Sequence, residues 1–258
     1  MNDAQAITSS LDPYTRPFRV RYSETGCDGL IKPLKIFDYC QDAAMEHAEK
    51  LGVSSVHLKA RDLAWFIIHY QVRFLALPRW NQSLLLKTWR YPQRGLYEIR
   101  CYDLRDQEDR LFMQGRSALV IIDTQRKRPV RLKQALPPEQ LIADASETVT
   151  FTDLPAIDKP EFEQLFSIRK QDLDFNGHVN NTVFIGWALE NMPFGGNEAL
   201  MPSEVEVNYL SDIEFGRTVK AQGQRLASDP YPAFLYRIAD NQDNRETTRM
   251  RIVWKPMQ

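Results

Sequence analysis

Apolar residues along this chain recur at two different spacings, and the change from one to the other predicts two successive helix-and-strand units. One helix is predicted from Pro33 to about Leu51 and a second from about 180 to 191, each from apolar residues spaced for one helical face. Proline suits the first turn of the longer helix, because its missing N–H would have no helical partner there. Strands are predicted near 18–24, 64–76, 83–91, 96–105 and 111–123, and then near 163–170, 203–210, 218–226, 233–239 and 247–254.

The two units also resemble each other in sequence. Phe18–Arg21 aligns with Phe166–Arg169 at an offset of 148 residues. Val72–Leu75 aligns with Val207–Leu210 at an offset of 135. The difference means 13 extra residues in the first unit, predicted between Gly52 and Asp62. One long helix against a curved antiparallel sheet, formed twice, is an α+β architecture.

The repeat predicts a division of the chain into three segments. We expect a first domain over 14–135, a linker over 136–160 and a second domain over 161–258. Four prolines interrupt the sparsely apolar middle segment, which is typical of a linker: Pro137, Pro138, Pro155 and Pro160.

The composition excludes several classes of function. The formal net charge of the 258 residues is −1, which gives no reason to expect nucleic acid or a membrane surface as a partner. The first 18 residues lack the apolar centre of a signal peptide, and no apolar run reaches the length of a membrane span. The chain has an odd number of cysteines, three, and they are widely spaced: Cys27, Cys40 and Cys101. This pattern favours a reducing cytoplasm over disulfides or a zinc site.

The most informative stretch lies directly before the second helix. Asp174, Asn176 and His178 alternate with Phe175 and Gly177, so an extended backbone would present all three polar side chains on one side. The following helix would add free backbone N–H groups and the positive end of its dipole. An acid, an amide and an imidazole at such a place are the groups needed to stabilise an oxyanion.

The repeat separates these residues from structural ones. The first-unit counterparts of Asp174, Asn176, His178 and Asp212 are Gly26, Asp28, Leu30 and Leu77. A residue that the fold requires would tend to occur in both copies. The sequence therefore predicts a site in the second copy only.

The motif Asp-x-Asn-x-His-Val-Asn-Asn at 174–181, followed by Ile-Gly-Trp-x-Leu-Glu at 185–190, resembles the acyl-ACP thioesterase family of plants and bacteria. The first unit resembles it in Gln41–His47, Gly52, Thr88-Trp89 and Arg126–Arg131, so the likeness runs from about residue 16 onward. The resemblance implies two tandem hotdog domains in one chain. It also implies hydrolysis of fatty acyl-ACP thioesters to free fatty acid and holo-carrier, with no metal or other cofactor.

Residue chemistry gives each of these polar residues an expected role in such a reaction. His178 would act as general acid or base or as a donor to the thioester oxygen, and Asn176 would polarise the carbonyl. Asp174 would orient His178 or a helix-terminal amide, and the family pattern favours it over the alternative acid Asp172. Local alternatives remain open: a histidine that caps a backbone group, an Asx-turn at Asn176 and a helix cap or turn at Asp174.

The general base has more than one candidate. The family carries an acid, usually Glu, three residues after the aromatic at 209, which makes Asp212 the expected base. Asp is one methylene shorter, so Glu214, or His178 alone, stays an alternative. Plant members have Cys next to this acid where this chain has Ile213, so we expect water rather than a thiol to attack.

The resemblance also implies a partner. Acyl carrier protein is acidic, and the basic run from Arg126 to Lys133 is the expected docking surface, with an ordinary solvated strand end as the alternative. The acyl chain would lie in the first domain, against side chains that ordinary core packing explains equally well: Phe37, Cys40, Met45, Trp65, Ile67 and Trp89. A homodimer, a coenzyme A thioesterase and an acyl- or carrier-binding module without catalysis remain open.

Overall fold

A computed structural model describes residues 13–91, 95–141, 149–193, 200–227 and 230–257. The helices are α1 (Pro33–Lys50), α2 (Ser55–Lys59), α3 (Leu132–Ala135) and α4 (Asn181–Glu190). The strands are β1 (Tyr14–Arg19), β2 (Leu63–Phe74), β3 (Ser83–Tyr91), β4 (Tyr97–Asp106), β5 (Leu111–Asp123), β6 (Arg128–Val130), β7 (Phe162–Ser167), β8 (Leu200–Tyr209), β9 (Thr218–Leu226), β10 (Ala233–Asp240) and β11 (Glu246–Pro256). Among these described residues, no helix is both long and apolar enough to cross a membrane.

All the named strands belong to one antiparallel sheet. Its order is β1-β3-β4-β5-β2-β8-β11-β10-β9-β7, with β6 added beside β5. The helix α1 packs on β1 and β3, α4 packs on β9, β10 and β11, and the two long helices touch. The main hydrophobic core lies between helices and sheet and is continuous through both halves of the chain.

The centre of the sheet shows how the two halves are related. There β2 pairs with β8, and Gln71 faces Glu206. These two residues are also repeat counterparts, since they stand 135 positions apart. A residue that pairs with its own counterpart lies on a symmetry axis, so the halves are related by an approximate twofold axis through this pair.

The predicted repeat is confirmed element by element. The long helices begin at Pro33 and Asn181, and the isolated bridge between Thr25 and Ile31 recurs between Leu173 and Val179, all 148 residues apart. Strands β3 and β9 cover equivalent residues at the offset of 135. The predicted place of the extra length holds α2, and α1 is also longer than α4, with 18 residues against 10.

The first strand of each half was predicted wrongly at its end. The strand expected at 18–24 is β1, which ends at Arg19, and a single 3-10 turn covers Tyr22–Glu24. The Glu24 carboxylate accepts hydrogen bonds from both the backbone and the guanidinium of Arg21, which turns the chain there. The second half ends its strand at Ser167 and uses an Asp172–Arg169 pair in the same way.

Part of the predicted linker packs on the sheet. Phe151 stacks on His69 of β2 with 5.2 Å between ring centroids, and the Arg249 guanidinium donates a 2.6 Å hydrogen bond to the Leu154 carbonyl. These contacts fix residues 149–154 near the junction of the halves. Residues 142–148 of the expected linker lie outside the described residues, and the boundaries 14–135, 136–160 and 161–258 stay predictions.

A buried polar network lies inside the first half, where α1 meets β3 and β4. Arg90 forms an ion pair with Glu98, and Nη1 of Arg100 lies 3.1 Å from Nδ1 of His47. All four side chains are buried. Burial, followed by the charges of Arg100 and Arg90, lowers the pKa of His47 to about 3, so this imidazole is neutral at physiological pH.

Candidate active site

The residues before α4 form a tight turn, and the predicted extended backbone is wrong. The Asp174 carboxylate accepts hydrogen bonds from the backbone N–H groups of Asn176 at 2.8 Å and His178 at 3.1 Å. Gly177 has φ +80°, a conformation that glycine adopts without a steric penalty. Asp174 therefore fixes the shape of the turn, and the exposed Asn176 side chain lies at its surface.

The turn leads directly into the helix, as predicted. Asn180 is the N-cap of α4, and its side-chain oxygen accepts a 3.0 Å hydrogen bond from the Thr182 backbone N–H. The Asn180 N–H donates in turn to the Asp172 carbonyl at 2.8 Å. His178 thus stands two residues before the cap, next to the positive end of the helix dipole.

The structure brings His178 and Asp212 together. Nδ1 of His178 lies 3.4 Å from Oδ2 of Asp212, and the two side chains are 42% and 60% exposed, so both are accessible to a substrate. Asp212 follows β8, and Arg245 fixes this segment by donating to the Ser211 hydroxyl at 2.6 Å and to the Asp212 carbonyl at 3.1 Å. With Nδ1 directed at the carboxylate, Nε2 on the other side of the ring is the nitrogen that could meet a reacting group.

The other acid candidate is arranged differently. Glu214 is exposed, and Ile213 between the two acids is buried. Within the described ranges, the carboxylate that pairs with His178 is that of Asp212. The geometry therefore favours Asp212 over Glu214 as the candidate acid that acts with His178.

Two residues of the first half reach the turn, and neither was predicted from the sequence. The ring of Phe66 on β2 meets the His178 imidazole edge-on, with centroids 5.9 Å apart and an interplanar angle of 71°. Nζ of Lys59 on α2 lies 5.1 Å from the ring centroid of Phe175 at the tip of the turn. In the sequence, only the extra length of the first unit pointed to this region. It predicted that an additional segment exists there, but not which residues that segment contacts.

The cysteines are separate from this site. Cys27, Cys40 and Cys101 are free thiols in the first half. Burial raises the pKa of the Cys40 thiol far above its usual value and that of Cys101 to about 11, so both stay protonated and are poor nucleophiles. Within the part of the chain that the structure describes, no group of three His, Cys, Asp or Glu side chains could hold a metal ion.

The expected acyl-chain lining is divided between two faces of the sheet. Phe37 and Cys40 are buried on α1, in the core between helix and sheet. Trp89 alternates on β3 with the buried Thr88 and Arg90, and it borders a cleft on the other face with Gln71 and Glu206. Trp89 therefore does not line the same interior as Phe37, and its placement there was wrong.

The basic run is exposed, at the end of the sheet where β2 begins. Arg126, Lys127 and Arg128 lie in and after the turn that joins β5 to β6. That turn is attached to the segment beyond α2, because the Thr124 N–H donates to the Asp62 carbonyl at 2.9 Å. The basic run and the turn contacted by Lys59 thus lie at the same end of the β2–β5 pair.

Comparison with known proteins gives matches over both halves. Residues 12–137 match the acyl-ACP thioesterase N-terminal domain, and residues 156–256 match the acyl-ACP thioesterase C-terminal domain. The chloroplastic acyl-[acyl-carrier-protein] hydrolase FATB2 of Cuphea viscosissima is 23% identical over 94% of this chain. The chain spans 63% of the length of that relative.

Solved structures agree on the fold. The 12:0-ACP thioesterase from Umbellularia californica superposes with a TM-score of 0.82 at 20% identity, over 95% of this chain and 94% of the other. An acyl-ACP thioesterase from Bacteroides thetaiotaomicron superposes with a TM-score of 0.80 at 16% identity, over 94% and 98%. The predicted α+β fold of two tandem hotdog domains is confirmed. Because its two halves match, in order, the two domains of one family, this chain belongs to the acyl-ACP thioesterase family.

Proposed function

We propose that this protein hydrolyses fatty acyl-ACP thioesters to free fatty acid and holo-carrier. The single observation that carries the proposal is the 3.4 Å approach of His178 Nδ1 to Asp212 Oδ2 beside the start of α4. Membership of the family supports it, and so do the names of relatives described as acyl-carrier-protein hydrolases.

In the proposed reaction a water molecule attacks the thioester carbonyl carbon. Asp212, directly or through His178, takes the proton of the water as the C–O bond forms. Asn176 donates to the carbonyl oxygen as it becomes an oxyanion, and the nearby start of α4 favours that negative charge. When the C–S bond breaks, the leaving sulfur takes back the proton, and the holo-carrier is released as a thiol.

Asp174 acts indirectly in this proposal. One of its carboxylate oxygens already accepts two backbone N–H groups of the turn. That arrangement supports a positioning role, in which Asp174 holds Asn176 and His178 where the substrate needs them.

We infer that the carrier protein docks at the exposed basic run from Arg126 to Lys133. An acidic partner bound there would lie at the end of β2 where Lys59 and Phe66 contact the turn.

Free thiols at Cys27, Cys40 and Cys101 support a reducing, cytoplasmic setting for the reaction. Pairing of β2 with β8 supplies within one chain the contact between hotdog units, so the proposed site needs no homodimer.

The test compares wild type with His178→Ala and Asp212→Ala on a panel of acyl-ACPs, with free fatty acid as the product measured. Asp28→Ala is the control for Asp212→Ala, because Asp28 is an exposed acid of the first half. The proposal expects losses of at least about 100-fold in kcat for both site variants and a near-wild-type control. Wild type without hydrolysis of any acyl-ACP would contradict it.

Two alternatives are decided by related measurements. A coenzyme A thioesterase would hydrolyse the acyl-CoA at least as fast as the acyl-ACP of the same chain length. An acyl- or carrier-binding module would bind acyl-ACP without product release, and His178→Ala would leave every measured property unchanged.

A further inference from the structure

The extra residues of the first half are firmly attached to that half. Leu58 of α2 is 1% exposed and belongs to a small second core cluster with Leu51 and Ile121. The indole N–H of Trp65 donates a 2.9 Å hydrogen bond to the Val53 carbonyl, which fixes the segment before α2 to the start of β2. The segment thus provides a rigid support from which Lys59 projects.

Two side chains of this support contact the turn of the other half at different points. Lys59 lies over the ring of Phe175, at the tip of the turn. Phe66 lies against the imidazole of His178, where the turn ends. Phe175 is otherwise 71% exposed, and His178 is 42% exposed on its side chain, so neither is fixed by burial in its own half.

The repeat shows that these contacts occur on one side only. The counterparts of Phe175 and His178 are Cys27 and Leu30, and the counterpart of Phe66 is Met201. Lys59 lies in the extra segment of the first half. Among the described residues, a contact from the opposite half to an aromatic or imidazole ring is found at the turn that carries the candidate catalytic groups and not at its first-half counterpart. A contact needed only for the fold would be expected at both turns.

We propose that Lys59 and Phe66 are positioning residues that keep the 174–178 turn and the His178 ring aligned with Asp212. This inference rests on the proposed function of the turn. An imidazole that is nearly half exposed can rotate away from a carboxylate 3.4 Å distant unless its faces are packed. A ring edge at 5.9 Å and a fixed turn tip restrict that rotation. Small displacements of a catalytic group reduce rate strongly, so such restriction acts on kcat.

The activity test uses Phe66→Ala, Lys59→Ala and the conservative variants Phe66→Tyr and Lys59→Arg. We expect kcat to fall about tenfold for Phe66→Ala and about threefold for Lys59→Ala, with KM changed less than twofold. The conservative variants should recover to within about twofold of wild type, because the ring edge and the cation are restored.

Matched controls remove equivalent contacts elsewhere in the first half. Lys50→Ala breaks the Lys50–Tyr14 contact, whose distance is 4.3 Å, and Phe18→Ala breaks the Phe18–Tyr39 stack at 4.1 Å. A general loss of stability would affect these controls as much as the test variants. Equal kcat in a test variant and its control would overturn the inference.

A second measurement does not depend on hydrolysis. Amide hydrogen exchange at 174–178 should be about threefold faster in Lys59→Ala and in Phe66→Ala, with unchanged exchange in Lys50→Ala. Wild type that hydrolyses no thioester would contradict the proposed function, while the exchange result would still decide whether the two residues hold the turn. Unchanged exchange at 174–178 in both test variants would overturn the inference.

Discussion

Phe66 and His178 meet edge-on at 5.9 Å although 112 positions separate them in sequence and they belong to opposite halves of the chain. The contact is possible because β2 and β8 pair in the middle of the sheet, which brings the start of β2 next to the turn before α4. The candidate site therefore has contributions from both halves of the repeat. In our proposal the first half, which lacks the polar groups, supports those of the second.

The first prediction concerns the length of the acid at position 212. Asp212→Asn keeps the shape of the side chain but removes the proposed base, and we expect kcat to fall at least about 100-fold. Asp212→Glu extends the carboxylate by one methylene and keeps its charge, so kcat should stay within about tenfold of wild type. Single-turnover hydrolysis of acyl-ACP measures the rates of both variants. If Asp212→Asn were as active as Asp212→Glu, the base would be Glu214, or His178 alone.

Asp174 should matter less than His178. Asp174→Ala removes the acceptor of two backbone N–H groups, loosening the turn but leaving the imidazole in the chain. We expect a loss of about tenfold in kcat, smaller than that of His178→Ala, together with faster amide exchange at Asn176 and His178. Equal losses in Asp174→Ala and His178→Ala would mean that Asp174 has a direct chemical role.

Charge reversal in the basic run should weaken use of the carrier substrate. Arg126→Glu/Arg128→Glu would repel an acidic carrier, and we expect kcat/KM for acyl-ACP to fall about tenfold at low salt, with a smaller effect at high salt. Hydrolysis of the same acyl group on coenzyme A should change less than twofold. The double variant Lys159→Glu/Arg225→Glu, with the same charge change elsewhere, is the control. A fall equal to that control would place the docking surface elsewhere.

His47 should make the free energy of unfolding decrease at acidic pH. Its pKa is lowered to about 3 in the folded protein from an ordinary value of 6.5, so below pH 6.5 the unfolded chain binds a proton that the folded protein does not. The stabilisation is complete above pH 6.5 and is lost as pH falls towards 3, at about 1.4 kcal/mol per pH unit. The free energy of unfolding, measured with urea from pH 7.5 to 4.5, should fall less steeply with decreasing pH in His47→Gln than in wild type. His57→Asn, which changes an exposed histidine, is the control. An identical pH dependence in wild type and His47→Gln would contradict the prediction.

Much of this fold could be predicted because strong periodicity and the repeat agree. Helix α1 was predicted to begin at Pro33 and does, and β3 and β5 were predicted at their observed bounds. The ends of β1 and β7 were not predicted, because side-chain pairs such as Arg21–Glu24 turn the chain in a way that apolar spacing does not record.

The candidate site could be predicted only in part. The sequence motif and the repeat together pointed to His178 and Asp212, which the fold brings within 3.4 Å. The turn at Asp174 was missed, because a carboxylate that accepts its neighbours' N–H groups overrides an alternating pattern. Lys59 and Phe66 were missed for another reason: contacts between halves depend on strand pairing, and the residues that make them carry no local signal.

A single pair of repeat counterparts tests whether one half catalyses the reaction while the other half supports it. His178→Ala and Leu30→Ala change equivalent positions in the two halves, and single-turnover release of fatty acid from acyl-ACP can be measured for both. We expect a loss of at least about 100-fold for His178→Ala and less than about threefold for Leu30→Ala in folded protein. Similar rates in the two variants would contradict it.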